Sequence, residues 1–203
     1  MKKSKAEAAE TRKRILEVAA QTFRSKGITA AGVAEIMAGA GLTVGAFYRH
    51  FTSKEQLIAE ACATSMDVLV ESAEAAAGGG QASFLKHLED FLSAEYRDDT
   101  LGGCPLVAMG SELVRADTQT RRAASQGFEQ LIDIVARWTP ADDLASARDE
   151  AMFTLSAMIG AVTMSRILDN PELSDRVLNV TRQRLTNQST RPQSKRAKST
   201  VTS

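Results

Sequence analysis

The stretch 33–51, VAEIMAGAGLTVGAFYRHF, constrains the fold of this 203-residue chain more than any other. Val33, Ile36 and Met37 recur at helical spacing on one face. Gly39-Ala40-Gly41 ends that helix, because a glycine just past a helix end tolerates the left-handed backbone that a sharp reversal requires. Leu42 follows as an apolar plug. Thr43 is placed to cap a second helix, 44–50, by offering its hydroxyl to the amide of Ala46. That helix is only about two turns long and cannot persist alone in water. It must be held by packing, and Phe47 and Phe51 supply the face for it. Its other face is small at Gly45 and Ala46 and ends in Tyr48, Arg49 and His50, all hydrogen-bond donors. A short helix with a small leading edge and a donor-rich end suits insertion into a groove lined with phosphates.

The flanking segments read as helix throughout. A helix over about 10–26 has the stripe Ile15, Leu16, Ala19 and Phe23 and stops at Gly27; the polar residues 1–9 before it are expected to be mobile. Thr29 is placed to cap the next helix, about 30–40. Ser53 and Gln56 form a capping box that opens a long helix, 54–77, with Leu57, Ile58, Ala61, Ser65, Val68 and Leu69 on one face. Gly78-Gly79-Gly80 breaks it. An amphipathic helix over 83–98 follows, carrying Phe84, Leu85, Leu88, Phe91 and Leu92. Pro105 suits the first position of a helix running to about residue 115. Asp117 caps the next, with Phe128, Leu131, Ile132, Val135 and Trp138. Thr139-Pro140 and Asn170-Pro171 open the last two helices, 140–169 and 171–185. The expected fold is all-α, with about nine helices and no strand. Residues 187–203 lack apolar periodicity and are expected to be a disordered basic tail.

Four segments carry a family likeness: RILEVAAQTFRSKG at 14–27, VAEIMAGAG at 33–41, LTVGAFYRHF at 42–51 and SKEQL at 53–57. In this combination they resemble the DNA-binding domain of TetR-type transcriptional regulators, over about a quarter of the chain. The resemblance implies a three-helix helix-turn-helix head, 1–53, and a helical effector-binding and dimerisation body, 54–186. It also implies a palindromic operator on double-stranded DNA, a homodimer paired through 140–185, and a small-molecule effector of unidentified chemistry. Matched residue by residue, it gives Thr29, Tyr48 and His50 as phosphate contacts. Lys54 stands at a helix N-terminus, already favourable to an anion, and adds a charge aimed at phosphate. Sequence readout falls to Thr43, Val44, Gly45, Ala46 and Arg49; Arg49 can fork onto guanine or bind phosphate.

Charge agrees with a polyanion-binding head. Residues 1–54 hold 10 Lys/Arg against 4 Asp/Glu, residues 55–186 hold 11 against 21, and residues 187–203 hold 4 against none. The net charge of zero hides this asymmetry. No run of 18 apolar residues exists, so no membrane span is expected. The charged N-terminus lacks the apolar run of a signal peptide, and two cysteines, Cys62 and Cys104, are too few for a disulfide framework. Both points suggest a reducing cytoplasm. His50 and His87 have no cysteine or carboxylate neighbours at metal-ligand spacing, and no nucleophile elbow or phosphate-binding glycine loop occurs. An enzyme is therefore disfavoured, and no cofactor or metal is expected.

The body offers two further readings. Residues 152–167, MFTLSAMIGAVTMSRI, are apolar or small nearly all round, as in a helix buried on every side, whether centrally or by a second copy. Ser156, Ala157, Gly160 and Ala161 would permit close helix approach. An effector pocket is expected among Phe91, Cys104, Leu113, Phe128, Trp138 and Met158. Cys104 lies just before a helix whose first-turn amides would lower its thiol pKa, which suits sensing of oxidants or electrophiles; the plainer alternative is core packing. Cys62 reads as packing. The expected function is a repressor released by an effector, with a constitutive architectural DNA-binding protein as the alternative.

Overall fold

The structure, a computed structural model, describes residues 5–99 and 103–189. Within these it has nine α-helices, one 3₁₀ helix and no strand. The first helix, α1, runs Lys5–Lys26 and begins five residues earlier than the apolar stripe alone indicates. Residues 5–9 are strong helix formers, with Glu7 in the first turn and the Thr11 hydroxyl donating to the Glu7 carbonyl at 2.7 Å. They are therefore helical; residues 1–4 lie outside the described residues.

Helix α2 is short, Val33–Gly39. Gly32 is its N-cap and makes no side-chain cap bond, so Thr29 does not cap it. Thr29 sits instead in the turn at 28–30. The 3₁₀ helix Val44–Arg49 follows. The Ala46 N–H donates to the Thr43 backbone carbonyl at 3.0 Å, not to its hydroxyl. A 3₁₀ turn closes on residue i+3, so the backbone already satisfies the amide that the hydroxyl would have capped.

Helix α3, Lys54–Gly78, is the long element running from head into body. One half of the expected box forms, the Ser53 hydroxyl accepting from the Gln56 N–H at 3.2 Å; the other half is shifted, the Gln56 side-chain oxygen accepting at 2.7 Å from the N–H of Thr52, one residue before the cap. Leu57, Ala61, Cys62, Ser65 and Met66 are buried along it, but Val68 is exposed.

The segment read as one helix over 83–98 is two, α4 at Gln81–Phe91 and α5 at Ala94–Asp98. Ser93 is the cause, since its hydroxyl accepts from the Tyr96 N–H at 3.1 Å and starts a new helix. Helix α6, Pro105–Leu113, has its proline at the first position. Helix α7, Thr118–Ala136, is capped by Asp117, whose carboxylate accepts from the Gln119 and Thr120 amides. Helix α8, Leu144–Ile167, starts later than Pro140: Asp143 is its cap, accepting from the Ser146 N–H at 2.8 Å. Helix α9 is Pro171–Ser189, opened by the Asn170 side chain accepting from the Leu173 N–H at 3.0 Å. It overruns the expected end near 185, and the remainder of the expected tail, 190–203, lies outside the described residues.

Three apolar clusters organise the packing. The first joins Ile15, Phe23, Ile36, Met37, Phe47 and Phe51 of the head to Leu57 and Cys62 of α3 and to Met109 and Leu113 of α6. The second lies where α3, α4, α7 and α8 meet, around Met66, Phe84, Ile134 and Ala151. The third, around Leu92, Met158, Val162 and Leu178, ties α8 to α9. Helices α3 and α7 approach so closely that a Cβ on Gly127 would lie 2.6 Å from Met66 side-chain atoms.

Candidate nucleic-acid interface

The short helix is held by its aromatic underside. Phe47 is buried, stacks on Phe51 at 5.6 Å and meets Tyr48 edge-on at 5.1 Å. Arg12 of α1 locks this base. Its guanidinium lies 4.6 Å over the Phe51 ring, its Nε donates to the His50 carbonyl at 3.3 Å, and its two terminal nitrogens meet the Glu60 carboxylate at 2.5 and 2.7 Å. The Arg12 bonds hold the Glu60 carboxyl below its ordinary pKa against the opposing effect of burial. Arg12 and Glu60 lie 48 residues apart, and nothing in local spacing marks them as partners.

Above this base stands an exposed ridge. Thr43, Val44, Gly45, Tyr48 and Arg49 are exposed, with Tyr48 at 76% and Val44 at 49%. Large side chains left this open on a well-packed base are available to a partner. Ala46 is half-buried against the core, and His50 is half-buried. Lys54 is half-buried, its Nζ donating to the Ile28 carbonyl at 3.3 Å, which sets it beside the turn that carries Thr29.

Thr29 is exposed, but its amide is already engaged. Glu112, on α6 of the body, accepts from the Ile28 N–H at 2.8 Å and from the Thr29 N–H at 2.7 Å. Burial works to raise the Glu112 carboxyl, and the bonds from Thr29 and Ile28 outweigh it, leaving its pKa below the ordinary value. Glu112 was not legible as a functional residue: it sits in an apolar helix, 83 residues from Thr29.

The expected pocket residues do not gather in one place. Trp138 does line a recess of about 340 Å³, with Phe84, Leu88, Leu92, Val135 and Arg182 among its other walls. Phe84 and Trp138 stack there at 5.9 Å. Phe91 instead packs on Tyr96 at 4.5 Å, Leu113 belongs to the head-side core, Phe128 to the second cluster and Met158 to the third. Cys104 is buried at the N-cap of α6, and burial raises its thiol to about 11, against the lowering by the Val107 and Leu106 amides. The low-pKa expectation is thus corrected: the helix amides act as foreseen, but desolvation exceeds them. Cys62 is also buried, raised to about 11, and both cysteines are free.

Helix α8 is not buried on all sides in the single chain. Phe153 is 56% and Ile167 67% exposed, and Met152, Met164, Leu173 and Val180 are open beside them on α8 and α9. No helix among the described residues is long and apolar enough to cross a membrane.

Two family models match this architecture. One, described as bacterial regulatory proteins, tetR family, matches residues 15–61. The other, described as transcriptional regulator LmrA/YxaF-like, C-terminal domain, matches residues 81–179. The chain is 44% identical over 59 residues to the HTH-type transcriptional regulator AcrR of Shigella flexneri, covering 29% of this chain and 27% of that one. It is 48% identical over 54 residues to the HTH-type transcriptional repressor BepR of Brucella suis biovar 1, covering 27% and 26%. The matched part thus spans about a quarter of these relatives' length. A crystal structure of a TetR transcriptional regulator from Chloroflexus aurantiacus superposes with a TM-score of 0.71 at 26% identity, over 90% of this chain and 98% of that one.

Proposed function

We propose that this chain, which belongs to the TetR family of bacterial regulatory proteins, is a transcriptional repressor that a small-molecule effector releases from a palindromic operator. The observation that carries the reading is the exposed ridge 43–49 on its buried aromatic base. The ridge enters the major groove. Thr43, Val44, Gly45, Ala46 and Arg49 read base edges, while Tyr48, His50 and Lys54 meet phosphate. Thr29 offers its position beside Lys54, with its amide held by Glu112. The role is binding, with no catalysis assigned, and it is exerted in the cytoplasm, where the chromosome lies.

The open apolar stripe on α8 and α9 supports a homodimer paired through 140–185. A two-fold pair presents two ridges, which is what a palindrome requires. In this division residues 1–53 act as the head and 54–186 as the body, with α3 the shaft between them. The recess beside Trp138 supports an effector site. Turning a 99:1 bound population into 1:99 takes about 10⁴-fold differential affinity, or about 5.5 kcal/mol. Burial of on the order of 220 Å² of apolar surface in one state only would supply that at about 25 cal/mol per Å². The recess and the kinship with regulators favour this gated role over a constitutive architectural one.

Exchange of the exposed ridge residues tests the reading. Val44→Thr should change which operator variants are preferred, whereas Tyr48→Phe should weaken all sequences alike. If both variants keep the wild-type affinity and ranking over a randomised half-site library, the ridge is not the reading element.

A further inference from the structure

The body grips the head at a second place besides the shaft α3. The turn after α1 opens with Gly27 at φ +86°, and its next two amides, Ile28 and Thr29, point at one carboxylate. A left-handed residue followed by successive inward N–H groups makes a concavity suited to an anion. Glu112 fills it from α6, one oxygen to each amide. A side chain at Gly27 is disfavoured by its φ, and its Cβ would lie 2.7 Å from the nearer carboxylate oxygen, so that Glu112 would have to shift. On its other side the same turn accepts the Lys54 ammonium through the Ile28 carbonyl. One turn of three residues thus joins the last turn of α6 to the start of α3, next to the 3₁₀ helix.

The far end of α6 is held as well. The Cys104 N–H, at the start of α6, donates to the Tyr96 hydroxyl at 2.7 Å. Tyr96 packs on Phe91, one residue before Leu92 in the wall of the recess. Helix α6 therefore has a polar contact at each end, one with the Gly27–Thr29 turn and one with Tyr96.

We propose that Glu112 is a positioning residue for DNA binding: a latch that sets the angle of the head on the body. This rests on the repressor reading for its role at an operator, though not for its effect on the head. With the latch closed, α1, its turn and Lys54 are held to α6, and the two heads of a dimer stay at one separation. With it open, the head is restrained by the α3 shaft and the apolar contacts alone, and the separation spreads. A carboxylate is suited to this part because charge-assisted bonds to amides are strong when aligned and are lost within a small displacement.

Two measurements on the full-length dimer test the latch, with Glu112→Ala and the shape-conserving Glu112→Gln. The first needs no operator. Spin labels at Ala34→Cys, exposed on α2, report the distance between the two heads. The latch predicts a single narrow distribution for the otherwise wild-type protein, a clearly broader one for Glu112→Ala, and an intermediate one for Glu112→Gln. Amide exchange at Ile28 and Thr29 should accelerate in the same order. The second compares the operator with versions carrying one base pair more or fewer at its centre. Glu112→Ala should bind the native spacing about tenfold more weakly, a change of about 1.4 kcal/mol, and its penalty for altered spacing should shrink at least threefold. Accelerated exchange with an unchanged head distance and an unchanged spacing penalty would reduce Glu112 to a local cap and overturn the proposal. If the protein selects no palindrome at all, the repressor reading falls, while the label distances still decide the latch.

Discussion

Lys54 touches the Ile28 carbonyl, and in the proposed DNA complex a phosphate would compete for its charge. The carbonyl bond is long at 3.3 Å and neutral on one side, so a phosphate takes precedence when DNA arrives. Lys54→Ala should therefore lower affinity for all sequences alike, and flatten the slope of log affinity against log salt by about one unit per half-site. Salt titration of the variant checks this; an unchanged slope would remove Lys54 from the phosphate contacts. Cys104 gives a prediction of the opposite kind. Its buried, raised thiol should resist alkylation near neutral pH until the protein unfolds. Counting thiols that react with a chromogenic disulfide before and after denaturation should give none, then both. At this scale local chemistry was legible where the partner is close in sequence, as for Ser53 with Gln56 or Asp117 with Thr120. It was not legible for Arg12 with Glu60 or Glu112 with Thr29, because those pairings exist only after the helices pack.

Helix starts show how local signals compete. Pro140 is compatible with a first turn, yet Asp143 supplies the bond that starts α8. Ser93 similarly divides an apolar run that periodicity alone reads as continuous. The 3₁₀ helix is the clearest case. Its location and aromatic base follow from residues 33–51, but its tighter winding, which leaves Thr43 no capping task, comes from the backbone. Ser53 carries more consequence than other caps because it opens α3, the longest helix among the described residues, directly after the exposed ridge. Ser53→Ala should cost about 1 kcal/mol of stability, measured as a lower denaturant midpoint with an unchanged slope. A midpoint equal to wild type would show that the neighbouring Thr52–Gln56 bonds suffice to start the helix.

On the scale of the whole molecule, the charge count separates a basic segment, 1–54, from an acidic one, 55–186, and the apolar run 152–167 reads as a helix buried either centrally or by a second copy. The exposed Phe153 and Ile167 favour the copy. The expected pocket does not assemble as one site for the reason the distant pairings were hidden, since Leu113, Phe128 and Met158 share apolarity but pack into different clusters. The dimer prediction is direct. Phe153→Arg places an unpaired charge in the paired face, at a cost of several kcal/mol if it is buried there. Sedimentation should show monomers and operator affinity should collapse with them, while a variant that stays dimeric would move the interface off this stripe.

Whether two copies read a palindrome with ridge 43–49 is decided by one titration. Labelled duplexes tiled across the DNA flanking the protein's own gene are titrated with the full chain against excess random duplex at about 0.15 M salt, where non-specific electrostatic binding is weak. A duplex containing an inverted repeat should be retained, at two chains per duplex, and lost when Tyr48 and Arg49 are both replaced by alanine. Uniform binding to every duplex, or a retained complex that the double replacement leaves intact, would contradict the palindrome reading.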